Sequence, residues 1–149
     1  MNTRGNSNSE WYRLAELGAY SAHTLFESYR KPLEICCYLT QQSAEKLLKG
    51  FLVENGTEPP KIHDLLALNT LCEGLNSNFN LLANDLADIN TYSVKPRYPQ
   101  ITDKITEEDV RQAIKSLNSV IDFFEKYIFN TKENQHGHET KDTNREIHQ

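Results

Sequence analysis

The chain is 149 residues long with a formal net charge of −5 at neutral pH. That is the size of one ordinary domain, able to bury roughly two-thirds of its unfolded surface without metal or disulfide support. The negative balance excludes broad, sequence-independent attraction to a phosphate backbone, which needs a basic face, and leaves room only for a local basic patch. The longest apolar runs, such as residues 33–39, fall far short of the roughly 20 residues a membrane-crossing helix requires, so a cytoplasmic protein without a membrane partner is expected.

Residues 1–8 show no apolar periodicity and are expected to be a disordered N-terminus. From Trp11 onward, Leu14, Ala15, Gly18, Ala22, Leu25 and Tyr29 draw one stripe down a five-turn helix, with Ser9 placed to cap its first turn. Pro32 suits the first turn of the next helix, where its missing N–H has no partner to lose. That second helix should run to about Glu54. Cys37, Ala44, Leu48 and Phe51 form its stripe, and Ile35, Leu39 and Leu47 widen it enough for a central position.

Asn55 and Gly56 end the second helix with a left-handed stop, and Glu58, Pro59 and Pro60 form a stiff connection. A shorter third helix comes next over about residues 64–73, with Leu65, Leu68, Cys72 and Leu75 inward and Asp64 at the positive end of the dipole. Residues 74–78 should break it. Phe79, Leu82, Ala83, Leu86 and Ile89 or Asn90 predict a fourth helix ending near Ser93, ahead of Pro96 and Pro99.

The last helix has the clearest start. Thr106 caps it, Glu107, Glu108 and Asp109 fill its first turn, and Val110, Ala113, Ile114, Leu117, Ile121, Phe124 and Ile128 form the stripe. Residues 130–149 carry only Ile147 as a large aliphatic and should form a disordered polar tail. The fold class is therefore all-α, an antiparallel up-and-down bundle of about five helices over residues 9–129. Phe123 beside Phe124 and Tyr127 beside Ile128 offer more apolar surface than one stripe needs, which suggests an interface between two copies.

Metal and cofactor chemistry find no support. Cys36, Cys37 and Cys72 are an odd set without ligand spacing, two of them neighbours that cannot readily bridge, so buried reduced thiols are expected. His136 and His138 in the tail offer at most weak metal contact. There is no glycine-rich phosphate loop, nucleophile elbow or zinc spacing.

Three polar groups interrupt the helical patterning. In the second helix, Glu45 and Lys49 either form a solvated i, i+4 pair worth about a few tenths of a kcal/mol or, with Gln41, project toward a pocket or partner, as Gln42 and Lys46 do. Before the third helix, His63 stands two residues after Lys61. It either fixes its loop through a neighbouring carbonyl or serves as an acid, a base or a phosphate contact, which requires Glu45 or Arg97 to be brought beside it. After the fourth helix, Lys95, Arg97 and Tyr98 stand among prolines. Arg97 can grip a phosphate or carboxylate with two parallel hydrogen bonds and Tyr98 can stack on a base; alternatively Arg97 pairs with a carboxylate such as Glu45 and locks two helices together. Candidate ligand-binding residues are thus Lys46, Lys49, Lys61, His63, Lys95, Arg97 and Tyr98, and the candidate catalytic residues are His63 and Arg97.

The long first helix opening with Trp11, the run of Gln41, Gln42, Ala44, Glu45, Lys46 and Lys49, then His63, Asp64 and Leu65, and finally Arg97, Tyr98 and Pro99 ahead of an amphipathic helix together resemble HEPN domains (higher eukaryotes and prokaryotes nucleotide-binding). The resemblance covers about residues 9–129. It implies a helical bundle that commonly forms homodimers, is often paired with a small nucleotidyltransferase, and is associated with nucleotide or RNA chemistry. Ribonuclease members carry an Arg followed some four to six residues later by His, and no arginine of this chain has a histidine at that distance. The expectation is a non-catalytic nucleotide- or partner-binding module. Its rivals are a divergent ribonuclease using His63 and Arg97, and a plain dimeric interaction protein without a ligand.

Overall fold

The computed structural model describes residues 7–91 and 104–130, and within them every regular element is helical. α1 spans Ser7–Phe26, α2 Leu33–Glu54 and α3 Leu65–Leu75. A 3-10 helix, Ser77–Leu82, leads into α4, Ala83–Thr91, and α5, Glu107–Phe123, continues as a π-helical segment, Phe124–Phe129. None of the helices in the described residues is long and apolar enough to cross a membrane.

α1 and α2 form an antiparallel pair packed at close range. Gly18 lies against the Leu39 carbonyl and Ser43, and the Ser43 hydroxyl donates to the Ala15 carbonyl at 2.7 Å. Small residues on both helices permit this approach. α2 is consequently covered along most of its circumference, with thirteen buried residues from Cys36 to Leu52.

α2 ends as its sequence dictates. Gly56 adopts φ +77°, while the Thr57 N–H reaches the Leu52 carbonyl and the Gly56 N–H the Val53 carbonyl. This pair of bonds satisfies carbonyls the helix would otherwise orphan. The connection beyond it travels back along α2, so that α3 restarts beside Gln41 and runs alongside α2 toward Leu48, whose carbonyl faces Cys72. Asp64 caps α3, accepting from the Leu66 and Ala67 N–H groups. Thr106 and Asp109 close a reciprocal capping box on α5.

The main core gathers Phe51, Phe79, Phe123 and Phe124 around α2. Phe79 is fully buried, with ring centroids 4.5 Å from Phe51 and 4.9 Å from Phe123. A smaller cluster of Cys36, Cys37, Ile105, Val110 and Ile114 closes the other end. All three cysteines are free and buried.

Several expectations are corrected. α1 begins at Ser7, so Ser9 lies inside its first turn, and it ends at Phe26, leaving Tyr29 98% exposed in the turn beyond it. α3 continues through Gly74 to Leu75, and Leu75 and Ile35 face outward. Phe123, Phe124 and Ile128 are all buried within the monomer. The widened π-helical turn gives adjacent apolar residues access to the same core, so these residues supply no surplus surface for an interface. Ser93 and the tail, with His136, His138 and Ile147, lie outside the described residues.

Candidate functional site

Gln41, Glu45 and Lys49 recur one turn apart along one edge of α2. The sequence admits them as a solvated pair; the fold instead buries them. Glu45 is 4% and Lys49 6% exposed, and their side chains pair at 3.1 Å. Lys49 also lies 6.0 Å from the centroid of the Trp11 ring, which adds a cation–π contact from α1.

The connection through Pro59 and Pro60 delivers His63 to this edge. Its backbone carbonyl accepts from Gln41 Nε2 at 2.9 Å, which fixes the loop. Its ring does something else: Nδ1 sits 3.1 Å from both carboxylate oxygens of Glu45, while the side chain remains 58% exposed. Asp64 and Asn90 brace the loop from below. Asn90 accepts from the Leu65 N–H at 3.1 Å and donates to Asp64 Oδ1 at 3.3 Å.

Burial alone would raise the Glu45 carboxyl, because it penalises the charged form. The hydrogen bonds from His63, Lys49 and Gln41 and the charge of Lys49 together outweigh it and hold the group below its ordinary value. Glu45 is therefore a buried carboxylate with its oxygens saturated by donors. Since a carboxylate only accepts, it selects the proton on His63 Nδ1. The neutral ring then presents Nε2 outward as an acceptor or base, and the protonated ring presents it as a charged donor.

A second string of side chains extends the group along α2. Lys46 Nζ donates to Gln42 Oε1 at 3.0 Å and Gln42 Nε2 to Gln41 Oε1 at 2.9 Å. Lys46, Lys49 and His63 are thus joined through Gln41, Gln42 and Glu45. Lys61 is exposed on the connection two residues before His63. Lys95, Arg97 and Tyr98 lie outside the described residues. Helical periodicity did not reveal Trp11 as a partner of Lys49, and it placed Asn90 only as an alternative to Ile89 in the stripe of the fourth helix. An asparagine at a buried helical register was the available signal. Among the described residues no group of three or more His, Cys, Asp or Glu side chains could hold a metal ion.

The family model described as HEPN domain matches residues 9–127. Among solved structures the chain is similar to that of ST0689, an archaeal HEPN homologue, with a TM-score of 0.63 and 22% identity over 80% of this chain and 95% of that one; a likeness at that identity speaks for the fold. No curated protein matches the chain.

Proposed function

The chain belongs to the HEPN domain family, and from that premise we propose that it is a nucleotide- or RNA-engaging module that acts by binding, as a homodimer alongside a small nucleotidyltransferase. The observation that carries this reading is the His63 ring, aimed by a buried carboxylate on one nitrogen and open to solvent on the other. An imidazole so held is a ready partner for a phosphate oxygen; exposed Lys61, two residues away on the same connection, can supply charge, and Lys46 is linked to the site through Gln42 and Gln41. Arg97 and Tyr98 are proposed as the second half of the contact, gripping phosphate and stacking on a base. Dimerisation and the nucleotidyltransferase rest on the family alone.

Calorimetric titration with nucleoside mono- and triphosphates and with short single-stranded RNA tests the proposal. His63→Ala and Arg97→Ala should each weaken binding at least tenfold while helicity is retained. If neither nucleotides nor RNA bind or raise the melting temperature, the plain interaction protein takes its place.

The same dyad supports a second reading, because a carboxylate-oriented imidazole is also the arrangement of a general base. Metal-independent cutting of single-stranded RNA that disappears in His63→Ala would establish a divergent ribonuclease. The missing Arg and His spacing weighs against it.

A further inference from the structure

α1 and α5 run antiparallel, and between them lies a groove of about 560 Å³. Tyr12 and Phe129, which meet edge-on at 4.9 Å, both line it. Along α1 the lining runs from Glu10 to Ala19, which corresponds to about 14 Å of helix.

The floor is apolar, formed by Ala15, Ala19, Leu47, Ile121 and Phe129. Alanines on α1 leave the space that larger residues would fill. The rim is acidic: Glu10, Glu16 and Glu125 line it, and its single cation, Arg13, is already held by Glu10 at 2.6 Å. Glu16 and Glu125 form no ion pair with a described residue. The groove opens beside Ser43 and Leu47, about 200° around α2 from Glu45, so it is independent of the His63 site.

We propose that this groove is the docking site for a basic amphipathic helix of a partner protein, which lays two or three apolar side chains on the alanine floor and sets lysines or arginines against the rim. The dimensions fit. Anchors at i, i+3 or i+4 and i+7 of a docked helix span about 10 Å, within the stretch of α1 from Glu10 to Ala19 that lines the groove. Charge selects the class of occupant. An isologous second copy would set Glu16 and Glu125 against the same two carboxylates of its twin, whereas a basic helix neutralises them and is steered toward them.

The test is selection of a displayed library of 16-residue helical peptides against the full chain, followed by fluorescence anisotropy with the enriched sequences. The expected result is enrichment of peptides with apolar residues at i, i+3 or i+4 and i+7 flanked by Lys or Arg. Their binding should fall at least tenfold in the double variant Glu16→Lys, Glu125→Lys, whose exposed positions leave the fold intact, and again in Ala19→Phe, which fills the floor from a buried position and is read only with wild-type helicity retained. Three outcomes overturn the proposal: no enrichment, enriched peptides without basic residues, or binding indifferent to the rim variants. Light scattering on the same variants identifies the remaining occupant, since a dimer that dissociates on filling the floor assigns the groove to a second copy and refutes the partner helix.

Discussion

Adding one methyl group at Gly50 tests how closely α1 and α2 approach. A Cβ at this position would lie 2.6 Å from Cε1 and 2.8 Å from Cδ1 of Tyr12, and 3.1 Å from Cβ of Trp11. Tyr12 cannot simply swing aside. Its ring packs edge-on against Phe129 and Phe124, and its hydroxyl, kept protonated by burial and by the nearby Glu54 carboxylate, donates to Glu54 at 3.3 Å. Overpacking of this kind costs about 1–3 kcal/mol, and loss of the Tyr12 hydrogen bond adds about 1 kcal/mol. Replacing a mid-helix glycine by alanine returns about 1 kcal/mol. Gly50→Ala should therefore destabilise by about 1–3 kcal/mol, lowering the melting temperature by about 2–10 °C. Gly74→Ala is the matched comparison, because a Cβ there meets nothing within 4 Å, and it should stabilise by up to about 1 kcal/mol. Urea unfolding tracked by helical circular dichroism measures both. If Gly50→Ala proves as stable as Gly74→Ala, the two helices do not make this close contact.

The buried polar edge and the thiols can be tested in the same way. Glu45→Leu strands Lys49 as an unpaired buried cation and should cost about 3–5 kcal/mol, read by the same urea titration; a loss under about 1 kcal/mol would mean that Lys49 reaches solvent. Because the Glu45 carboxyl lies below its ordinary value when folded, its contribution is complete above the unfolded value near 4.5 and is lost as pH falls through the folded one. Unfolding titrations between about pH 3 and 6 should show this acid-side loss in the wild type and a flatter profile in Glu45→Gln. Burial pushes the Cys72 thiol up to about 12 and raises Cys36 as well, so alkylation of both at about pH 8 should proceed at the rate of unfolding, checked by mass spectrometry with and without urea.

Local signals were legible and long-range ones were not. The bounds of α2, its Asn55 and Gly56 stop and the Thr106 start each depend on residues within a few positions of one another, and each appears where the sequence placed it; Asp64, read as an acidic residue at the positive end of the dipole, stands one residue outside α3 as its cap. Tyr29 continues a helical stripe by its spacing, but the helix ends at Phe26 before the chain reaches it. The burial of Glu45 and Lys49 depends on how much of α2 its neighbours cover, which no periodicity reports. The His63–Glu45 contact joins residues eighteen positions apart across a proline-stiffened return; the sequence supplied both partners without the geometry that unites them.

The π-helical segment at Phe124–Phe129 makes chain length there an adjustable quantity. A π turn is an α-helix carrying extra residue length, so a single deletion within it can be absorbed by reverting to the tighter spiral, whereas a deletion in the middle of α2 has no such slack. Because the change is taken up inside the turn, the residues beyond it keep their register; the same deletion in an uninterrupted α-helix would rotate every later residue by about 100°. One-residue gains and losses at this point would therefore leave the Tyr12–Phe129 contact as it is, so the length of the last helix is free to vary where the length of α2 is not.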